Sequence, residues 1–312
     1  MIKKLFKNIF LQEAYFWLTC PALLWEICFL YLPVLVLALY SILDYSSGST
    51  AIHLTFEHYQ KIFNSLYFKI ILNSCVLAIV TATICLFIAY PVAYFLAFKV
   101  NKRFRIFLLF LIIIPSWTSL IVQIYAWFFL LEKNGLVSQL LSTLGLFSDS
   151  HHLLNNYFSI IVGMVSCFLP FMIFPIYAIL ERMDKQLLEV SADLGASRYE
   201  TFKRVVFPLS LPGVYAGVLL VFIPALGEFA IPTLLGGSKR VFWGSIIVDK
   251  FLRSRDWRSG AALAIIGILF PALIGLLIYL FNKSINYFKR DKIKIDKTKK
   301  AKDNWDFTES NI

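Results

Sequence analysis

Six long apolar runs, at about 16–40, 70–97, 106–131, 157–180, 211–235 and 261–282, dominate the chain. A helix needs about 20 apolar residues to cross a hydrocarbon core of roughly 30 Å. Lipid offers an open backbone no hydrogen-bond partner, so runs of this length and polarity must satisfy their own amides as helices. The chain is 59% hydrophobic and 17% aromatic, with a mean hydropathy of +0.73, whereas a soluble domain is about half apolar. The expected fold class is therefore all-α: a polytopic membrane protein with six transmembrane helices. The start, Met1-Ile2-Lys3-Lys4-Leu5-Phe6-Lys7, has the basic opening of a signal peptide. The apolar run behind it is too long for one and lacks a small-x-small cleavage site, so it is expected to stay as the first span. The resulting division is an N-terminal tail at 1–15, a six-helix membrane domain at 16–282 and a basic tail at 283–312, with no second soluble domain.

A net charge of +11 invites a nucleic-acid partner, but the placement of the charge does not. With the N-terminus inside, the inner segments hold 21 of the 30 Lys and Arg: three before the first run, four at 99–105, five at 182–204 and nine at 283–302. The outer segments hold the other nine, six of them between Lys239 and Arg258, and none falls inside a run. This is the positive-inside pattern of a multi-pass inner-membrane protein with both termini cytoplasmic. The tail Lys289-Arg290-Asp291-Lys292-Ile293-Lys294 is expected to lie at anionic lipid headgroups, making membrane lipid a partner, and no nucleic-acid partner is expected. Cys20, Cys28, Cys75, Cys85 and Cys167 all fall in apolar runs without paired spacing and read as packing residues. His53, His58, His151 and His152 sit in outer loops, and with no carboxylate or cysteine pattern beside them no metal site is expected.

The inner segment 181–210 is long, charged and patterned like helix. Asp184 is placed to cap a short helix whose apolar members are Leu187, Leu188, Val190 and Leu194, with Glu189 and Asp193 on its polar side. Gly195 suits a turn that a side chain would resist. Ser197-Arg198-Tyr199-Glu200 is a capping box for a second helix, and Pro208 and Pro212 are expected to close the segment before the fifth span. Two short angled helices on the inner face would form a rigid projection for a partner.

Glu189-Val190-Ser191-Ala192-Asp193-Leu194-Gly195-Ala196-Ser197, followed by Phe202, Phe207-Pro208 and Pro212, resembles the EAA loop of ABC-importer permeases, with Val190-Ser191 where the usual form has two alanines. The resemblance implies that this loop is a coupling helix seated in a cytoplasmic ATPase. The loop residues carried over are Glu189, Asp193, Gly195, Ser197 and Pro208, Glu189 giving polar contact and Gly195 the turn. Pro115-Ser116-Trp117-Thr118-Ser119, Tyr125-Ala126-Trp127 and Asn134-Gly135-Leu136 are similar to the third span and following loop of spermidine/putrescine permeases. Leu169-Pro170-Phe171-Met172 with Pro175-Ile176-Tyr177, and Gly227-Glu228-Phe229-Ala230-Ile231-Pro232 running to Leu235-Gly236-Gly237, are similar to their fourth and fifth spans. Such relatives often carry arginine where this chain has Gln123. Among paired permeases of this kind the chain looks like the first. The resemblance implies a type I importer permease for polyamines, working with a second permease subunit, a cytoplasmic ATPase dimer and an external substrate-binding protein. Iron, an oxyanion or another small solute remains the alternative cargo, and a stand-alone secondary transporter the alternative class.

Only Glu26 and Glu228 place acid within the runs. An ionisable group at that depth is costly unless it faces protein or water, so both are candidates for function. Pro224 and Pro232 flank Glu228 and are expected to loosen its span, exposing backbone to a cavity. Trp117, Tyr125 and Trp127 join Glu228 as candidate pathway residues, since carboxylates and aromatic faces attract a flexible multi-cation. Gly213 and Gly217 have the spacing of a close helix contact. The chain has no Gly-x-x-x-x-Gly-Lys-Ser/Thr phosphate loop and no nucleophile elbow. It is thus expected to bind no ATP or other cofactor itself, ATP being held by the partner, and to have no enzyme activity alone.

Overall fold

A computed structural model describes residues 19–45, 52–62, 65–144, 153–237, 240–275 and 280. The tails at 1–15 and 283–312, with His151 and His152, lie outside them. Among the described residues six helices are long and apolar enough to cross a membrane.

The first is α1 (Thr19–Ile42). A small hairpin follows, β1 (Leu43–Tyr45) antiparallel to β2 (Ile52–Leu54) with Asp44 opposite His53, then the short α2 (Glu57–Ile62). The second run is α3 (Ser65–Phe98) and the fourth α7 (Tyr157–Glu181), each within a few residues of its apolar limits. Asn156 begins α7 with a capping box, its side chain accepting from the Ser159 amide at 2.9 Å.

The third run is not one span. It divides into α4 (Lys102–Trp117) and α5 (Leu120–Leu131), with Thr118 and Ser119 extended between them. The Pro115 carbonyl that would continue the ladder is taken by the Thr118 amide at 3.1 Å, the Thr118 hydroxyl at 2.7 Å and the Gln123 amide. Local side-chain donors here compete with helix and win. The short α6 (Leu136–Thr143) follows, and Leu120–Leu140, made of α5 and the start of α6, is the third of the six long apolar stretches.

Segment 181–210 differs as well. Its first helix, α8 (Gln186–Asp193), is short as expected, but the second is not. α9 runs unbroken from Arg198 to Gly227, 30 residues, so Pro208 and Pro212 lie inside it instead of closing the segment. A π turn at Phe202–Val206 makes this continuity tolerable, because Pro208 enters just after it, where the ladder is already out of step. α9 stops at Glu228, which is extended, and α10 (Ala230–Leu235) resumes after Phe229. α11 (Trp243–Val248) and a π turn at Asp249–Arg253 lead to α12 (Trp257–Gly275).

The core is a bundle of α3, α7 and α9. Ala78, Cys85, Ala89 and Ala93 of α3 and Met164, Met172, Ile176 and Leu180 of α7 are fully buried. In lipid, helices gain little by leaving the solvent, so close packing decides their association. Gly213 and Gly217 of α9 supply it: a Cβ at Gly213 would lie 2.7 Å from the Pro175 carbonyl, and one at Gly217 would lie 2.7 Å from the Met172 sulfur. By contrast, none of the most apolar stretch of α1 is buried. Glu26 and Cys28 are exposed on it, so Cys28 is not a packing residue within this chain. Packing separates a unit ending at Leu263 from one starting at Ala264, where α12 continues with Ile268, Leu269 and Leu273 exposed.

Candidate functional site

The α8–α9 corner is built from short-range bonds. The Asp184 carboxylate accepts from the Gln186 amide at 3.0 Å, opening α8. Gly195 follows α8 at φ +79, a left-handed conformation that L side chains rarely adopt. Nothing lies within 4 Å of a Cβ built there, so glycine is present for its backbone and not for space. The capping box closes in full: Ser197 accepts from the Glu200 amide at 3.3 Å, and the Glu200 carboxylate accepts from the Ser197 amide at 2.9 Å. A bond between the Ser191 and Thr201 hydroxyls at 2.8 Å ties α8 to α9.

The corner turns its apolar residues outward. Leu194 is 82% exposed and Val190 54%, Leu187 and Tyr199 are exposed too, and so are Glu189 and Asp193. Arg105 pairs with Glu181 at 3.3 Å, which puts the turn before α4 at the same end of the bundle as the corner.

At the other end of α9, Glu228 occupies the break. Its carboxylate oxygen accepts from the Ala230 amide at 2.8 Å and the Ile231 amide at 3.4 Å, capping α10. A carboxylate has about four acceptor positions, so this cap does not exhaust it. On α7, the Cys167 thiol donates to the Gln123 side chain at 3.1 Å. Gln123 in turn donates to the Thr118 hydroxyl at 2.9 Å, holding the α4–α5 break. Two interrupted spans therefore meet against α7: α5 and α10 pack on it and on each other, with Gln123 bonded to Cys167. α11 closes over this place: a Cβ at Gly244 would fall 2.2 Å from the Gly227 carbonyl, and the Trp243 amide donates to Ser74 of α3 at 2.8 Å.

The aromatic candidates do not gather around Glu228. Trp117 ends α4, 70% exposed and edge-on to Phe110 at 5.7 Å. Tyr125 is 46% exposed, two residues from Gln123 and so on the opposite side of α5. Trp127 is half-buried and one turn beyond Gln123, on the side of α5 that packs against α7 and α10. Gln123 and Cys167 were not among the sequence candidates. For Gln123 the signal is an amide within an apolar run; for Cys167 the sequence carries none.

Residues 89–287 match the family described as the binding-protein-dependent transport system inner membrane component. The chain is 38% identical over 263 residues to the spermidine/putrescine transport system permease protein PotB of Haemophilus influenzae, covering 84% of this chain and 92% of that one. It is 37% identical over 267 residues to PotB of Escherichia coli, covering 84% and 96%, and 31% identical over 249 residues to the inner membrane ABC transporter permease YdcU of Escherichia coli, covering 75% and 78%. Its fold is similar to a chain of a bacterial ABC transporter that imports the acidic polysaccharide alginate, with a TM-score of 0.65 at 19% identity over 89% of this chain and 96% of that one. With two interrupted spans packed on each other and a bonded corner at one end of the bundle, the chain belongs to the family of binding-protein-dependent transport system inner membrane components.

Proposed function

We propose that the chain is one of two permease subunits of an ATP-driven importer of the polyamines spermidine and putrescine. Its termini and its α8–α9 corner face the cytoplasm. A cytoplasmic ATPase dimer receives the corner, an external binding protein delivers the polyamine, and a second permease completes the path. Glu189 and Asp193 meet the ATPase, with Gly195, Ser197 and Pro208 setting the shape they are carried on.

The observation that carries the proposal is the corner itself. Leu187 and Val190 are exposed on an eight-residue helix and Leu194 at its C-cap; a hydroxyl bridge fixes this helix to α9, whose own start is closed by a capping box. Exposed apolar side chains rimmed by charge mark an interaction surface. Nucleotide-driven approach of the ATPase subunits would move the corner as a unit and shift the bundle between outward-open and inward-open states.

The polyamine cargo is supported by the names of the relatives and by the chemistry of the break. Glu228 supplies negative charge, Gln123 a neutral amide and Trp127 an aromatic face, a set suited to a flexible cation. Uptake of labelled putrescine and spermidine by vesicles holding the complete complex tests it, with pull-down in mild detergent to identify bound chains. ATP-dependent uptake of either polyamine is expected, with an ATPase bound. No uptake of either would end the cargo assignment, and no bound ATPase would end the importer function.

A further inference from the structure

Phe202 and Phe207, at the base of α9, face two tyrosines of α3. The Tyr90 ring lies edge-on to Phe202 at 5.6 Å and 6.0 Å from Phe207. Tyr94 lies 6.2 Å from Phe202, and Phe202 the same distance from Phe207. The Tyr90 hydroxyl is 2.8 Å from the hydroxyl of Ser210, which is fully buried. Ser210 gives its own proton to the Phe207 carbonyl at 2.9 Å. Having one proton, it must accept from Tyr90. The order is therefore Tyr90 hydroxyl to Ser210 hydroxyl to Phe207 carbonyl, from one helix onto the backbone of the next.

This is where the α9 ladder is weakest. The π turn closes the Phe207 amide onto the Phe202 carbonyl, and neither Pro208 nor Pro212 has an N–H to donate. A helix depleted in this way bends when pushed at its end. The push would arrive directly upstream, where Ser191 grips Thr201. The four rings and the Tyr90–Ser210 bond brace this compliant stretch against α3.

We infer that Tyr90, acting with Ser210, is a positioning residue of the transport cycle. It fixes the base of α9 to α3, so that displacement of α8 passes into the bundle instead of being absorbed in the π turn. The brace rests on the importer function proposed above.

The test measures ATP hydrolysis and uptake of labelled putrescine and spermidine together, in vesicles holding the complete complex. Tyr90→Phe keeps the ring and removes only the hydroxyl. Ser210→Ala removes its acceptor. Each is expected to hydrolyse ATP within about twofold of wild type while moving three- to tenfold fewer polyamine molecules per ATP. The double variant is expected to be no worse than either single, as for two ends of one bond. Phe202→Leu, which thins the ring cluster, is expected to lower the same ratio. Wild-type ratios in Tyr90→Phe and Ser210→Ala would overturn the brace and leave the importer function standing. A wild-type complex without ATP-dependent uptake would overturn both.

Discussion

Gly195 offers a test in which the backbone and not the contact surface is perturbed. Its φ of +79 sits in the left-handed region, and space around it is open, so a substitution meets no clash and its cost is conformational. For an ordinary L residue that cost is about 1–2 kcal/mol, which shifts a two-state equilibrium by a factor of roughly 5–30. The equilibrium concerned is local: whether α8 and α9 meet at the native angle. The bundle does not depend on it, because Gly195 is exposed and the buried residues of α7 and α9 lie elsewhere. Gly195→Asn is expected to keep most uptake, since asparagine visits this region readily. Gly195→Ala is expected to lose uptake about 5- to 30-fold and Gly195→Val more, with the amount of chain in the membrane unchanged in all three. Gly195→Asp tolerates the backbone as asparagine does but adds charge to the surface proposed to meet the ATPase, and is expected to abolish uptake without loss of membrane protein. Uptake and membrane abundance measured across the series check this. Full uptake by Gly195→Val, or losses that merely follow abundance, would refute the reasoning.

Glu228→Gln retains an oxygen to cap α10 but not the charge, so melting in detergent should match wild type while polyamine uptake falls at least tenfold; Glu228→Ala should also lose about 1 kcal/mol of stability with the cap. Gly244→Ala must push α11 away from the Gly227 carbonyl and is expected to cost about 1–3 kcal/mol, read as a lower melting temperature, whereas Gly227→Ala, with open space at its Cβ, should melt as wild type. Burial would raise the Asp256 carboxyl, but hydrogen bonds from Ser259 and Lys250 outweigh it and hold the group below its ordinary range. A carboxyl lowered in the folded state stabilises above its unfolded pKa, and that contribution fades as pH falls through the lowered value. Asp256→Asn should therefore flatten the acid limb of melting temperature against pH and leave a constant deficit at neutral pH.

Where the chemistry of single residues settles the backbone, the sequence was readable. The helix α7 starts where the fourth apolar run starts, Ser197 and Glu200 form the capping box their spacing predicts, and Gly195 takes the left-handed turn expected of it. The break at Glu228 follows from the prolines around it. What was not readable depended on competition. Pro115 to Ser119 reads as a continuing apolar run, and only the capture of the Pro115 carbonyl by Thr118 and Gln123 ends the helix. Pro208 and Pro212 read as stops, and only the π turn before them lets α9 pass. Trp117 and Tyr125 were chosen for their chemistry, whereas helix phase decides the direction a ring faces, and it turns them away from Glu228.

The unbroken course of α9 has a geometric result. At 1.5 Å per residue its 30 residues span about 45 Å, with the α8–α9 corner at one end and the Glu228 carboxylate at the other. Both ends ride on one continuous helical rod, so their relative azimuth is set by residue count together with the π turn at Phe202–Val206. One added residue between them would swing Glu228 by about 100° around the rod's axis. The length of this stretch, more than the identity of most side chains along it, keeps the two ends in phase.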